Sequence, residues 1–264
     1  MQTAAGLCTH HALFIRVHLR LSAVAMNQDA AKKAVGEAAA AMAEDGQRIG
    51  LGTGSTTAYA IAALGRRVRE EGLQIVGTPT SFAAERLARK HGVPLASLDE
   101  LDALDLALDG ADEVNPGLDL IKGRGAAHTR EKVVAALAER FVVLVDPSKL
   151  VERLGTRMPV PVEVLPMAAT PVARALERLG ARPELRMGRS KDGPVVSDQG
   201  FWIIDAHFDG IDDPAALDRA MLAIPGVLDH GLFIGMTTDV LVGESDGTVR
   251  HLRKGERETR AEGD

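Results

Sequence analysis

The segment RIGLGTGSTTAYAIAALGRRVREEG, residues 48–72, shows how the first part of this chain is built. A short apolar run ends in glycines and hydroxyl side chains, and an Ala-rich stretch with helical spacing follows. We predict a strand, a tight turn and a helix in that order. The pattern extends in both directions: residues 29–45 are predicted to be helical, and LQIVGT (73–78) and SFAAERLARKHG (81–92) form the next strand and helix.

The alternation continues to about residue 146. A strand ending at Leu108, the helix AAHTREKVVAALAERF (126–141) and the strand FVVLVD (141–146) are predicted. Repeated βα units of this length favour a parallel sheet covered by helices. Four polar clusters, GTGST, TPTS, DGADE and DPSK, each follow the carboxyl end of one of these strands. Ligands bind at that edge of an open α/β sheet, so we expect the clusters to converge on one crevice.

The pattern changes from about Met158 onward. The six predicted elements are PVEVLP, AATPVARALERLG, RPELRMG, FWIIDAHF, DPAALDRAMLAIPG and VLDHGLFI. Their order is β-α-β-β-α-β, which is ferredoxin-like. The predicted fold class is therefore α/β, with a Rossmann-like parallel-sheet domain and a second, smaller ferredoxin-like α+β domain.

Domain boundaries follow from this change of pattern. DVLVG is expected to return to the first sheet, so the Rossmann-like domain is predicted to comprise residues 27–155 plus 236–252. The ferredoxin-like domain takes residues 156–235 between these two parts. Residues 1–25 are expected to be a disordered arm or translated upstream stretch, because Arg16 and Arg20 interrupt the apolar run that a secretory signal needs. Residues 253–264 are predicted to be a charged, solvated tail.

Composition limits the partners. The 264 residues carry a net charge of −6 and only 3% aromatic side chains, which argues against nucleic acid or an anionic membrane as the main partner. No apolar run is long enough to span a bilayer. Cys8 is the single cysteine, so no internal disulfide can form, and a cytoplasmic protein is expected. A small phosphorylated ligand remains compatible with the charge.

The glycine-rich stretch GLGTGSTTAY (50–59) has the form of an anion-binding turn. It lacks the Lys of a Walker A loop, and Ser55 occupies the position of the third glycine of a dinucleotide fingerprint. Two interpretations stay open: Ser55 or Thr56 merely caps the following helix, or Thr53, Ser55 and Thr56 bind a phosphate. Lys32, near the start of the first helix, is either a solvated charge or a further phosphate ligand.

The segment LDGADEVNPGLDLIKGRGAAHTREK (108–132) combines acidic and basic side chains. Asp109 and Asp112 follow a strand, Lys122 precedes a glycine-rich loop, and Glu131 lies early in the next helix. Carboxylates that lie close together raise one another's pKa, whereas a nearby Lys lowers it. One pocket could then hold both a proton acceptor and a proton donor at neutral pH. The alternative is an exposed acidic turn followed by an unrelated helix.

Seven motifs in the same order resemble the A-type ribose-5-phosphate isomerase family: GLGTGST, DGADEV, IKGRGAAHTREK, VDPSK, PVEVLPMA, RPELRMG and IPGVLDHGLF. The resemblance covers about Asn27 to Gly247. It implies an enzyme of the non-oxidative pentose phosphate pathway that interconverts ribose 5-phosphate and ribulose 5-phosphate without a cofactor, as a homodimer or tetramer. Two residues depart from the family pattern, Arg124 within the glycine run and His128 at a position that is often apolar.

The resemblance also implies roles. Glu131 would be the base that moves a proton between two carbons, while Asp109, Asp112 and Lys122 would act on the ring and the sugar oxygens. Which aspartate opens the ring is left open. The residues implied in substrate binding are Thr53, Gly54, Ser55, Thr56, Gly110, Ala111, Gly123, Gly125, Lys149 and Lys32. No metal is expected, since the histidines are scattered.

Two rival functions are compatible with a sugar-phosphate site on this fold. One is another enzyme on a related fold, such as an amino-sugar-phosphate deaminase or a sugar-phosphate lactonase, against which KGRGAAHTREK argues. The other is a sugar-phosphate sensor of a transcription regulator. A sensor would need a DNA-binding module, and the 25 residues before the first helix cannot hold one.

Overall fold

The computed structural model describes residues 28–254, so the predictions for residues 1–25 and for the tail beyond residue 254 lie outside the described part. No helix within it has the length and apolar character needed to cross a membrane. The elements of the first half are α1 (28–40), β1 (Arg48–Leu51), α2 (Ser55–Glu70), β2 (Val76–Pro79), α3 (Phe82–His91), β3 (Leu104–Gly110), β4 (Glu113–Val114), β5 (Leu120–Ile121), α4 (His128–Leu137) and β6 (Ala138–Val145).

The second half continues the numbering. Its elements are β7 (Val160–Val164), α5 (Ala169–Arg178), β8 (Arg182–Leu185), β9 (Trp202–His207), α6 (Pro214–Leu222), β10 (Val227–His230), β11 (Leu232–Phe233), β12 (Asp239–Gly243) and β13 (Val249–Arg253). Three short 3₁₀ segments lie between these elements, at Leu98–Glu100, Pro147–Lys149 and Pro166–Ala168.

The main sheet has six strands in the order β13-β12-β6-β3-β1-β2. Neighbours from β12 to β2 are parallel, and only the edge strand β13 is antiparallel. This confirms the predicted parallel sheet and the return of DVLVG to it. β13 was not predicted as a strand, and it includes Arg253, the first residue assigned to the tail.

Both faces of the main sheet are buried, which explains why its strands read as continuous apolar runs. In β6, Val142 and Leu144 belong to the core on one face, whereas Phe141, Val143 and Val145 belong to the core on the other. Successive side chains of a strand point to opposite faces, so each face receives alternate residues. Complete burial of one such side chain contributes about 1.5–3 kcal/mol.

The second sheet has four antiparallel strands in the order β10-β7-β9-β8, with α5 and α6 in the connections. Its core includes Val160, Val162 and Ile204 from the strands and Val172 and Leu176 from α5. The β-α-β-β-α-β prediction is therefore confirmed. The residue numbers given above for the domain boundaries stay a prediction.

The predicted strand VLDHGLFI is wrong in one respect, because it is broken at Gly231. β10 pairs with β7 in the second sheet, whereas β11 pairs with β5 in a three-stranded sheet, β11-β5-β4. At the break, the Gly231 N–H donates to Pro161 O at 2.7 Å and Gly231 O accepts the Lys122 N–H at 2.9 Å. The break thus ties the second sheet to the backbone of Lys122.

The helices α2 and α3 begin in different ways. Ser81 caps α3, since its Oγ accepts the Ala84 N–H at 3.1 Å, and Gly92 ends that helix in the left-handed conformation with φ of 75°. By contrast, α2 begins after Gly54 and has no side-chain cap. The interpretation of Ser55 or Thr56 as a cap is therefore wrong, and the first N–H groups of α2 have no side-chain acceptor.

Candidate active site

Three charged side chains from separate elements meet at the carboxyl edge of the main sheet. Lys122 Nζ lies 3.0 Å from Asp109 Oδ2 and 3.1 Å from Glu131 Oε2, and it donates to Gly110 O at 2.5 Å. Asp109 lies near the end of β3, Lys122 follows β5, and Glu131 lies in the first turn of α4. Their side chains are only 3–6% exposed.

Backbone contacts hold the Asp109 carboxylate. Its Oδ1 accepts N–H groups from Thr53 at 3.0 Å and from Gly110 at 2.7 Å. A Cβ at Gly52 would lie 2.2 Å from Asp109 Cγ, so this position requires glycine. The glycine-rich turn after β1 therefore makes room for the Asp109 carboxylate and helps to orient it.

Burial and mutual charge displace the pKa values of this group. Burial and the nearby charge of Asp109 together raise the pKa of Glu131 to about 8, against the opposing effect of Lys122. Burial likewise raises the pKa of Asp109, against the opposing effect of Lys122. Burial would lower the pKa of Lys122, but the charges of Asp109 and Glu131 outweigh that effect and raise it above its usual value. The site therefore combines a permanent ammonium with carboxyls that ionise unusually late.

A cavity of about 330 Å³ opens beside this group. Its lining residues are Thr53, Gly54, Ser55, Thr56, Thr57, Gly110, Ala111, Asp112, Lys122, Gly123, Arg124, Gly125, Glu131, Leu144, Val145, Asp146 and Lys149. Every predicted site residue except Asp109 and Lys32 is in this set. Asp109 is not part of the lining, but it contacts Lys122, which is. Lys32, on α1, is not part of the lining, and its role stays a prediction.

Thr53 contributes more to the construction of the site than its position in the lining suggests. Its Oγ1 donates to Ser81 Oγ at 2.6 Å and lies 3.0 Å from Thr80 Oγ1. The clusters GTGST and TPTS are thereby joined through hydroxyl groups. Ser55 and Thr56 are left as the hydroxyl side chains beside the uncapped start of α2.

Two carboxylates of the acidic cluster DGADE, Asp112 and Glu113, lie in different surroundings. Asp112 lines the cavity, and its Oδ2 accepts the Arg124 N–H at 3.0 Å. Glu113 points elsewhere: its buried carboxylate accepts N–H groups from Gly155, Arg157 and Met158 at 2.6–2.7 Å. Glu113 therefore anchors the segment before β7.

Several lining residues were not predicted from the sequence. Asp146 belongs to the cluster DPSK and accepts the Ser148 N–H at 2.8 Å, which shapes the turn that carries Lys149. Thr57 continues the hydroxyl run after Thr56, and its buried Oγ1 lies near Gly110. Leu144 and Val145 could not be recognised as lining residues from the sequence, because apolar strand residues resemble residues of the hydrophobic core.

The two residues that depart from the family pattern lie in different surroundings. Arg124 is exposed at the cavity wall. His128 is buried, and burial with the nearby charges of Lys132 and Arg186 lowers its pKa to about 3. Its imidazole is therefore neutral at physiological pH and packs against Gly123, where a Cβ would lie 2.7 Å from Nδ1. Only Arg124 is in a position to influence the cavity directly.

Comparison with known proteins assigns this arrangement to a family. The family model described as ribose 5-phosphate isomerase A (phosphoriboisomerase A) matches residues 76–247. The chain belongs to the ribose 5-phosphate isomerase A family. Ribose-5-phosphate isomerase A of Thermosynechococcus vestitus is 57% identical over 223 residues, which cover 83% of this chain and 94% of the relative. That of Haloarcula marismortui is 56% identical over 86% of this chain and 97% of the relative.

Solved structures of ribose 5-phosphate isomerases have the same fold. The enzyme from Methanocaldococcus jannaschii superposes with a TM-score of 0.82 at 48% identity, over 85% of this chain and 98% of that one. A D-ribose-5-phosphate isomerase in complex with phospho-erythronic acid gives a TM-score of 0.82 at 49% identity, over 84% and 97%. These matches confirm the predicted fold class and the stated family resemblance.

Proposed function

We propose that this protein interconverts ribose 5-phosphate and ribulose 5-phosphate through a cis-enediolate. The observation that carries the proposal is the contact of Lys122 with both Asp109 and Glu131 at the wall of one cavity. An aldose–ketose exchange needs a base for a carbon-bound proton and a cation for the charge that develops on oxygen. Family membership supports the same reaction.

Glu131 is the proposed base for the carbon step. Its carboxylate removes the proton from C2 of the open-chain aldose and returns it to C1, while a proton moves from the C2 oxygen to the C1 oxygen. A pKa of about 8 makes Glu131 a stronger base than an ordinary carboxylate. The Glu131 side chain is only 6% exposed, which limits its contact with bulk water.

Lys122 faces the oxygens on which negative charge develops. An ammonium at such a position typically stabilises the transition state by about 3 kcal/mol. Its permanent charge follows from the pKa, which the two carboxylates raise above the usual value. Asp109 holds this ammonium, and Asp112 lies at the cavity with an oxygen free to act in ring opening. Asp112 lines the cavity and Asp109 does not, and which of them opens the ring stays a prediction.

The phosphate is proposed to bind at the start of α2. A helix N-terminus exposes N–H groups and the positive end of the helix dipole to an anion. Here no side chain caps those groups, and Ser55, Thr56 and Lys149 line the adjacent wall. A related isomerase has been solved with phospho-erythronic acid, which carries both a phosphate and a carboxylate. Such a molecule fits a site with an anion-binding end and an ammonium end.

We also infer that the protein works in the cytoplasm as a homo-oligomer. Large apolar side chains are exposed on the second sheet, its helices and the segment between β7 and α5, among them Leu165, Met167, Leu222 and Leu228. Exposed apolar surface of this kind favours association with another copy. Light scattering coupled to gel filtration tests the assembly: a single species at the mass of one chain over a range of concentrations would contradict it.

One experiment tests the reaction directly. The protein is incubated with ribose 5-phosphate in heavy water, and ketose formation and deuterium at C2 of the recovered aldose are followed by NMR. We expect both signals, and neither with unphosphorylated ribose at the same concentration. Ketose formation without any deuterium would argue for hydride transfer, whereas activity confined to amino-sugar phosphates would favour the deaminase alternative.

A further inference from the structure

Arg186 connects the second sheet to the loop that forms one wall of the cavity. Its side chain, 17% exposed, directs Nε and Nη2 to the two oxygens of Asp205 on β9, at 2.8 Å and 2.5 Å. Its remaining nitrogen, Nη1, donates to Gly123 O at 3.0 Å and to Arg124 O at 3.2 Å. The planar guanidinium thus binds a carboxylate on one side and two carbonyls of the cavity loop on the other.

These two carbonyl contacts determine which way the loop's N–H groups point. In a trans peptide the C=O and the following N–H point in opposite directions, and the described chain contains no cis peptide bond. Because Gly123 O faces Arg186, the Arg124 N–H points away from it, toward the Asp112 carboxylate that it contacts at 3.0 Å. Because Arg124 O also faces Arg186, the Gly125 N–H points away from Arg186, and Gly125 itself lines the cavity.

Few contacts within residues 123–126 hold the peptide groups of this loop in these directions. Gly123 has φ of 105°, and Ala126 has φ of 57°, a left-handed conformation that alanine rarely adopts. The one backbone contact across the loop joins the Ala126 N–H to Gly123 O at 3.0 Å, so that oxygen is shared with Arg186. A strained backbone persists when its surroundings hold it in place. Arg186 provides such a contact from the second sheet.

We propose that Arg186 is a positioning residue for the isomerase reaction, an inference that rests on the proposed function. Held by Asp205, it fixes the direction of the Arg124 N–H toward Asp112 and of the Gly125 N–H toward a substrate oxygen. It does not touch the substrate, and Asp205 balances its charge. Its effect is therefore on geometry, through the carbonyls of residues 123 and 124.

The test compares Arg186→Met with the control Arg153→Met. Arg153 also forms an ion pair, with Asp212 at 2.6 Å; its guanidinium also donates to Asp209 O, and it does not line the cavity. Thermal stability, kcat, KM and calorimetric binding of phospho-erythronic acid are measured for both. We expect Arg186→Met to lower kcat/KM by about 10²-fold, because small misplacement of binding groups costs about that much. Arg153→Met should leave kcat/KM within about twofold, as expected for an exposed pair.

Two further measurements distinguish a positioning role of Arg186 from a purely structural one. Guanidinium added to Arg186→Ala should recover part of the lost kcat/KM, and the effects of Arg186→Met and Asp112→Asn should be less than additive because both act through the Arg124 N–H. If Arg186→Met fails to fold, Arg186→Lys tests the positioning role instead. One ammonium cannot bind the Asp205 carboxylate and two carbonyls at the same time. A loss of at least about tenfold is then expected.

The outcomes separate this inference from the proposed function. If wild-type protein isomerises ribose 5-phosphate and Arg186→Met or Arg186→Lys retains its kcat/KM within twofold, the inference is overturned. Full additivity with Asp112→Asn would overturn it as well. If the wild-type protein is inactive but binds phospho-erythronic acid, and Arg186→Met loses that binding, the positioning role stands and the proposed reaction fails.

Discussion

Lys122 Nζ lies 3.1 Å from Glu131 Oε2, and both side chains are almost completely buried. The pair is not a simple ion pair, because Asp109 competes for the same ammonium at 3.0 Å. Two carboxylates that share one cation cannot both be fully neutralised, so burial keeps the pKa of Glu131 high even beside a positive charge. This is the condition that a carboxylate base at a carbon acid requires.

Glu131→Gln should abolish most of the activity while leaving the fold intact. The amide has nearly the same shape but cannot accept the proton from carbon, so kcat should fall by about 10³-fold or more. Binding of phospho-erythronic acid, measured by calorimetry, should persist. Glu139→Gln, which alters an exposed carboxylate on β6, is the control. More than a tenth of wild-type kcat in Glu131→Gln would remove this residue from the base role.

The rate should depend on pH through Glu131. Its pKa is raised to about 8, so at lower pH the group is increasingly protonated and cannot act as a base. We expect kcat/KM to rise about tenfold per pH unit below that value and to level off above it. Initial rates at constant ionic strength across this range measure the profile. A flat profile down to about pH 5 would mean that the base has an ordinary carboxylate pKa.

Lys122→Met should lower the rate and also move this profile. In the proposed reaction the ammonium stabilises the enediolate, so its loss should reduce kcat by about 10²–10³-fold. It also lowers the pKa of Glu131, and without it the rising limb should shift to higher pH. Lys90→Met, at an exposed position on α3, provides the matched control. If kcat falls but the rising part of the pH–rate profile stays at the same pH, Lys122 does not act on the ionisation of Glu131.

Much of the fold and of the site follows from local sequence. The β6 run Phe141–Val145 predicts a strand because both faces of that strand are buried. The clusters after β1, β3 and β6 line one cavity because the carboxyl ends of parallel strands share one edge, whereas the cluster after β2 only contacts the cluster after β1, through Thr53. A single segment of 23 residues contains Asp109, Asp112, Lys122 and Glu131. Their spacing and charge therefore indicate one site from the sequence alone.

Other features depend on contacts between distant segments and leave no local signal. Glu113 resembles its neighbours in DGADE, and only its three backbone donors from residues 155–158 reveal that it is structural. Arg186 lies within the predicted strand RPELRMG and resembles any other strand residue until its contacts with Gly123 and Arg124 are known. The break at Gly231 is hidden for the same reason, because the sequence VLDHGLFI satisfies the pattern of one continuous strand.

Gly231→Ala should damage both stability and catalysis through the backbone of Lys122. An added Cβ would lie 2.1 Å from Lys122 O, far inside contact distance. Neither of the two segments can move away freely, because hydrogen bonds to Pro161 and Lys122 hold Gly231 in place. Overpacking of this kind costs about 1–3 kcal/mol. Displacement of the Lys122 ammonium by about an ångström would lower kcat by about 10²-fold.

Gly46→Ala separates this clash from the general effect of replacing a glycine. No atom lies within 4 Å of an added Cβ at residue 46, but its φ of 82° imposes a left-handed cost of about 1–2 kcal/mol. Urea unfolding should therefore show a loss of stability in both variants, whereas kcat should fall only in Gly231→Ala. An unchanged kcat in folded Gly231→Ala would mean that the link between the second sheet and Lys122 does not govern the position of the ammonium.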